Sequence, residues 1–567
     1  MPHGKVSMAG STYPQSVEQS DADAIQWRPL ALLTLLAIGM VAPAVYFALR
    51  YPLAEHVWEL TDLGRLSNYT TSSFQIFVSG LLVWFALYIG GYLITRRCNQ
   101  QIALVIILAA AAIAGLFLVA MYPVNATDMH MYAARSRLFT EYGFDPIAAT
   151  PNAVPNDEWR RLVSGEWASH TSPYGPLWTL IAAPITALAG DHLLRALLGF
   201  KLLALNAVLA TGWLIAKGAA REPASRPAAA ALLFVWNPLV LWEGIGNGHN
   251  DTVVALFLVA SVVAWRYQRL AWVIPILVAA VLLKYVALIL LPLAAIAVGR
   301  QARANGSLRR TTVQTVILST LVVIGGLAPF YDIGAIRESI STQGRIYATS
   351  PASLAIKDLA QITTEPTAVR LVQAIGLLAL CAVGLLWMWR VGRHPQRLPD
   401  AMFAVVFVFL VLATLNFRSW YLIWLVALAG LATSRWAAAR VMAWTAGAMA
   451  AYPVLIWIWG WEGYTFQRVE QIVVLLMFGP PVVVSLLALG SPAFDRLFRR
   501  TNGPQSRRSL KPAVNHGNDY QQRYRPPEET TEYIRGPVRA GGNAAVRGRY
   551  ERKSRAYPDE DASEPRC

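Results

Sequence analysis

The chain has 567 residues, 55% of them hydrophobic and only 14% charged, with a formal net charge of +16 and a mean hydropathy of +0.41. That balance argues against a soluble globular chain and favours a polytopic membrane protein. Inside loops and anionic headgroups account for the basic excess without nucleic acid, and Cys98, Cys381 and Cys567 show no CxxC or Cys/His grouping that would suggest a disulfide framework or a zinc site.

The first segment, 1–26, is polar and expected to be disordered and cytoplasmic. A membrane domain over 27–490 follows. Apolar runs at 29–49, 74–95 and 102–122 are each long enough to cross about 30 Å of hydrocarbon. They lead into a polar, aromatic island at 123–175. The run at 174–189 is short and carries Pro176 and Pro184, which fits a re-entrant or surface-lying helix better than a span. Further runs lie at 192–216, 227–242, 252–265, 271–283, 285–298, 312–330, 368–389, 401–415, 420–432, 438–459 and 469–489. The expectation is an all-α polytopic helix bundle of about fourteen spans.

Lys and Arg collect at 96–97, 217–226, 266–269, 300–310, 390–397 and 435–440, and these positions share one side if 174–189 is not a crossing. That side is read as cytoplasmic. The island, the loop 247–251, a second large loop at 331–366 and the segment 416–421 then face outward. The tail 491–567 has 16 Lys or Arg against 10 Asp or Glu, no apolar periodicity, and the composition of a disordered basic cytoplasmic segment.

Ionisable residues at the mouth of a helix bundle are costly and are therefore candidates for a working site. Asp128 opens a short helix in the island, where it either caps the helix or serves as a general base toward a sugar hydroxyl. Arg135, about two turns on, and Arg137 are candidate counter-charges for a phosphate, with Arg345 and Arg418 as further candidates. His130, Tyr132 and Tyr174 are candidate substrate-binding residues of the same island. In the glycine-rich loop, Asn247, His249, Asn250 and Asp251 either bind sugar hydroxyls or form a tight turn with a capped helix. Lys284 lies between two short runs. A recessed ammonium needs a partner, either a lipid phosphate or an acid such as Glu243 or Asp251. Trp420 and Tyr421 are weaker binding candidates, since aromatic residues at span ends usually form an interfacial belt. No metal or cofactor is implied.

Six fragments, DMHMYAARSRL at 128–138, EYGFDP at 141–146, SPYGPLW at 172–178, WNPLVLWEGIGNGHND at 236–251, LLKYVALILLPL at 282–293 and WYLIW at 420–424, occur in an order that resembles bacterial polyprenyl-phosphate-mannose-dependent mannosyltransferases of the GT-C superfamily. The resemblance implies a lipid-linked sugar donor, a lipid or glycan acceptor on the outer face, and inversion at the anomeric carbon with Asp128 as base. It also favours a phosphate as the partner of Lys284. Two spans precede the one that leads to Asp128, whereas the superfamily's core usually begins with that span. A polytopic transporter and a lipid-linked polysaccharide polymerase or ligase are the alternatives. The transporter would call for inverted repeats, which are not evident.

Overall fold

The computed structural model describes residues 16–490 except 125, 146, 224, 331, 333 and 338–345; for 16–26, 166 and 490 it describes the backbone alone. The described residues are helical, and besides the helices they contain two isolated bridges, Pro52 with Met121 and Ala348 with Asn416. Three long apolar helices come first: α1 (Ser16–Arg50), α2 (Thr71–Thr95) and α3 (Gln100–Val119). The helices α4 (Asp128–Thr140) and α5 (Pro176–Ala189) flank the polar island. Next come α6 (Leu193–Ala219), α7 (Pro227–Val235), a π-helical turn (Val240–Gly246) and α8 (Asp251–Arg266). Helix α9 (Leu270–Leu283) and helix α10 (Leu291–Ala304), the latter preceded by a 3-10 turn at Tyr285–Leu290, form a hairpin with Lys284 at its tip. The remainder is α11 (Leu308–Leu327), α12 (Pro351–Leu359), α13 (Glu365–Arg393), α14 (Leu398–Val408), α15 (Leu422–Ala429), α16 (Arg435–Pro453) and α17 (Phe466–Gly490).

Among the described residues, ten helices are long and apolar enough to cross a membrane, or eleven if α7 and the π-helical turn, bent by 59°, count as one span. This is the bundle of an integral membrane protein. The expected runs at 252–265, 271–283 and 420–432 form helices shorter than a full crossing requires, and α5 is likewise only 14 residues with Pro184 inside. Of the segments expected to be disordered, 1–15 and 491–567 lie outside the described residues, whereas 16–26 continue α1 as helical backbone.

The two leading spans belong to the main core. Trp84 of α2 donates its indole N–H to the Met40 carbonyl of α1 at 3.2 Å, and the Tyr88 hydroxyl donates to the Leu233 carbonyl of α7 at 2.8 Å. Asn237 closes a buried knot by donating to Tyr88 Oη at 3.1 Å and to Thr445 Oγ1 of α16 at 3.2 Å. In apolar surroundings such polar groups are expensive unless bonded, so these contacts specify which helices meet.

The connection between α1 and α2 also grips the chain that enters the island. Leu53 N–H bonds to Ala120 O at 2.8 Å, Tyr122 N–H to Tyr51 O at 2.7 Å, and Leu63 N–H to Val124 O at 2.9 Å. Buried Lys201 of α6 donates to the carbonyls of Leu118 and Met121, capping the end of α3 with a cation. On the far side, buried Glu470 of α17 accepts from Thr349 N–H at 2.8 Å, Ser353 Oγ at 2.8 Å and the Lys357 ammonium. Thr349 and Ser350 in turn hold the carbonyls of Phe417 and Leu415, each at 2.6 Å, which fixes the strap that carries Arg418 and Trp420.

Candidate active site

Asp128 is the first residue of α4, and its N-cap position is filled by Thr127. Among the described residues its carboxylate caps no backbone N–H. Instead, Oδ1 accepts a 2.6 Å hydrogen bond from Tyr174 Oη, and the side chain stays 19% exposed. Burial, the Asp128 charge and Tyr132 hold the Tyr174 phenol well above its ordinary range, so it remains a donor. Its placement depends on Gly175. Gly175 N–H bonds to Leu283 O at 3.0 Å, and a Cβ there would stand 2.1 Å from the Leu282 carbonyl oxygen. This close backbone approach ties Asp128, through Tyr174, to the α9 end that carries Lys284.

The glycine-rich loop reaches the same point from the other side. Gly248 has φ +70°, and a Cβ would meet Met129 Sδ at 2.2 Å, so the loop lies directly on the first turn of α4. His249 is thereby buried with Nδ1 3.9 Å from Asp128 Oδ2 and Nε2 3.2 Å from Glu243 Oε2. Its ring stacks on Trp420 at 3.9 Å and 16°. Glu243, in the π-helical turn, also accepts from Asn247 Nδ2 at 2.9 Å and from the Tyr452 hydroxyl. Tyr132 Oη accepts the backbone N–H of Asn250 at 3.3 Å, while the buried Asn250 side chain finds no hydrogen-bond partner among the described residues.

Lys284 donates to Asp251 Oδ1 at 2.8 Å and stands over the rings of Tyr421 and Trp424, at 4.7 and 5.0 Å. It lines a cavity of about 440 Å³ together with Asn416, Phe409 and Leu377 of α13. Leu377 is 59% exposed, so the apolar end of this cavity reaches the outer surface of the bundle. Arg418, half-buried beside Trp420 and Tyr421, makes no side-chain hydrogen bond or ion pair among the described residues.

The other candidates lie differently. Arg135 is buried and donates to the carbonyls of Trp167 at 3.0 Å and His170 at 2.8 Å, holding the island's return loop; burial lowers its guanidinium to about 10. Arg137 is paired with Asp157 at 2.6 Å and Asp191 at 2.7 Å and lies over Trp159. His130 packs against Tyr122, and burial pulls its imidazole down to about 4, so the ring is neutral. Arg345 lies outside the described residues. The structure therefore joins Asp128, Tyr132, Tyr174, the 247–251 loop, Lys284, Trp420 and Tyr421 in one site with Arg418 beside it, and engages Arg135, Arg137 and His130 elsewhere. Sequence reasoning weighed Glu243 only as a partner for Lys284 and missed Tyr452 and Trp424. An acid inside the apolar run 239–245 was the available signal for Glu243, and Trp424 closes the fragment WYLIW at 420–424; Tyr452 carried none.

The family model described as "Alpha-(1->6)-mannopyranosyltransferase, N-terminal domain" matches residues 30–300, a stretch that contains Asp128, Glu243, His249 and Lys284. The chain is similar to mannosyltransferases of the GT-C type. It is 34% identical over 172 residues to alpha-(1->6)-mannopyranosyltransferase A of Corynebacterium glutamicum, covering 30% of this chain and 34% of that protein. It is 33% identical over 141 residues to alpha-(1->6)-mannopyranosyltransferase B of the same organism, covering 24% and 23%. With alpha-(1->6)-mannopyranosyltransferase A of Mycobacterium tuberculosis the identity is 25% over 341 residues, covering 56% and 64%. The matched stretches thus span about a third, a quarter and nearly two thirds of these mannosyltransferases.

Proposed function

We propose that this chain is a membrane glycosyltransferase that moves mannose from a polyprenyl-phosphate donor to a lipid or glycan acceptor at the outer face of the membrane, inverting the anomeric carbon. The observation that carries the reading is the convergence of Asp128 and Lys284 on one site beside a cavity whose other end is apolar and open to the bundle surface. A carboxylate base and a cation for a lipid phosphate are the two charges such a transfer needs.

In this reading the acceptor hydroxyl gives its proton to Asp128 as its oxygen bonds to the anomeric carbon. The bond from that carbon to the phosphate oxygen breaks, and its electron pair leaves on the phosphate. Lys284 and the unpaired Arg418 offset the added negative charge. Tyr174 donates to Asp128 Oδ1 and so holds the orientation of the carboxylate. The isoprenoid tail lies along Phe409 and Leu377, and Trp420, stacked on His249, offers a ring face to the sugar.

The test uses the purified full chain in detergent with a synthetic glycan acceptor and labelled mannose supplied either on polyprenyl phosphate or on a nucleotide. Transfer from the lipid-linked donor alone, with a product of opposite anomeric configuration, is the expected result. Transfer from the nucleotide sugar, or retention of configuration, would overturn the reading.

A further inference from the structure

His249 is held between two acids at unequal distances. Nε2 lies 3.2 Å from Glu243 Oε2 and Nδ1 lies 3.9 Å from Asp128 Oδ2, and the side chains of His249 and Glu243 are both fully buried. The backbone repeats the link, because the His249 N–H donates to the Glu243 carbonyl at 3.2 Å. Stacking on Trp420 fixes the plane of the ring.

A carboxylate enclosed among apolar helices is costly and persists where a partner offsets it. Asn247 and Tyr452 donate to Glu243, which ties the π-helical turn to α16, but a neutral amide would serve that tie as well. Among the described residues no Lys or Arg lies within ion-pair distance of Glu243, and His249 is the one group there that can carry a positive charge. Helix packing alone therefore leaves unexplained why a charged group backs the imidazole that stands beside Asp128.

The nearer acid draws the ring proton to Nε2, which leaves the Nδ1 lone pair facing Asp128 Oδ2. Oδ1 of Asp128 is taken by the Tyr174 hydroxyl, so Oδ2 is the oxygen left for the acceptor's proton. We propose that Glu243 positions His249 to take that proton on from Asp128, a role that rests on Asp128 being the base of the transfer proposed above. The acceptor's hydroxyl proton moves to Oδ2 and then from Oδ2 to Nδ1. Asp128 is again a carboxylate, His249 becomes an imidazolium, and Glu243 offsets the charge that forms, as a buried acid does behind the histidine of a serine triad. An imidazole ordinarily holds a proton more firmly than a carboxylate, which gives the second step its direction. The 3.9 Å gap closes by about 1 Å when Oδ2 gains its proton, since catalytic contacts tighten on reaction. After the product has left, the proton returns to water through Asp128, which is 19% exposed, because His249 itself meets no solvent.

The test uses the purified full chain in detergent with mannose on polyprenyl phosphate and the synthetic glycan acceptor. His249→Gln keeps an amide near the place of Nε2 and leaves nothing at Nδ1; Glu243→Gln keeps the shape of the acid and removes its charge. In variants that remain folded by elution volume and melting, each is expected to lower kcat about ten- to hundredfold with both KM values within about twofold of the parent's. The pH profile of kcat separates this role from a structural one. Protonation of Nδ1 blocks the relay, so the parent's rate should fall on the acid side, and that limb should move to lower pH in His249→Gln. Asp251, Lys284, Arg418 and the phenols of Tyr132, Tyr174, Tyr421 and Tyr452 also face Asp128 or this pair and stay in place in the variant, so the movement belongs to His249. In 15N spectra of the histidine-labelled parent, the His249 signal, identified by its loss in His249→Gln, should show the proton on Nε2, a readout that requires no transfer. If His249→Gln does not purify folded, Glu243→Gln carries the kinetic test, and loss of an Nε2–H signal in that variant identifies His249. Parental kcat in a folded variant, an unmoved acid limb or a ring proton on Nδ1 would overturn the inference and leave the role of Asp128 standing. No transfer by the parent from this donor would sink that role, and the inference with it.

Discussion

Lys284 Nζ and Asp251 Oδ1 lie 2.8 Å apart, joining the tip of the α9–α10 hairpin to the first residue of α8. The Asp251 side chain is 1% exposed, so removing the ammonium strands a buried carboxylate. Lys284→Met is therefore expected to lower stability by about 3–5 kcal/mol, the usual cost of breaking a buried pair. Lys284→Met/Asp251→Asn should recover most of that loss, seen as a restored melting midpoint, yet still show weakened donor dependence in initial rates. Recovery of both stability and donor dependence would remove Lys284 from the phosphate site.

Tyr174→Phe deletes the hydroxyl that donates to Asp128 Oδ1 and leaves the ring packing on Tyr132 and Trp178. A hydrogen bond to a charged group is worth about 1.5–3 kcal/mol, so the transfer rate should fall roughly ten- to hundredfold, with KM for the donor little changed. A change in donor KM alone would place the phenol on the substrate instead.

Gly175→Ala sets a methyl group 2.1 Å from the Leu282 carbonyl oxygen, a position that backbone on both sides holds fixed. Overpacking of this kind costs about 1–3 kcal/mol. The variant should lose both melting temperature and activity, because the displaced loop carries Tyr174 away from Asp128. A fully stable, fully active variant would contradict the close approach.

Asp157 supplies a pH dependence outside the membrane-spanning helices. Burial pushes its carboxyl up, but the hydrogen bonds from Arg137, Tyr142 and the Trp159 N–H outweigh this and leave it lowered in the fold. A carboxyl lowered by folding contributes stability that is fully present above its unfolded pKa, about 3.9, and is lost as pH falls through the lower folded value. Melting midpoints between pH 7 and pH 3 should therefore drop at the acid end less steeply in Asp157→Asn than in the parent, from a lower starting value.

The fold class was legible because runs of apolar residues long enough to cross hydrocarbon leave few other solutions. The site was legible where a polar residue interrupts or ends such a run, as at Asp128, His249, Lys284 and Trp420. The fate of Arg135 and Arg137 was not, since their partners are the carbonyls of Trp167 and His170 and the acids Asp157 and Asp191, fixed by loop geometry rather than spacing. Glu243 was read only as a possible acidic partner for Lys284. Its contacts with His249, Asn247 and Tyr452 depend on a π-helical turn that no local pattern announces. In sequence the two leading spans only precede the one with which the resembled superfamily's core usually begins; in the structure their connecting segment grips residues 120–124 and so sets the entry to Asp128.

The central claim is that Asp128 takes the acceptor's proton, and Asp128→Asn tests it most directly. The amide keeps the size of the side chain and an oxygen to accept from Tyr174, but it cannot act as a base. Initial rates of mannose transfer from a polyprenyl-phosphate donor should fall by about 10²–10⁴-fold in a variant whose elution volume and melting midpoint match the parent's. Transfer at near the parental rate by that well-folded variant would contradict the account.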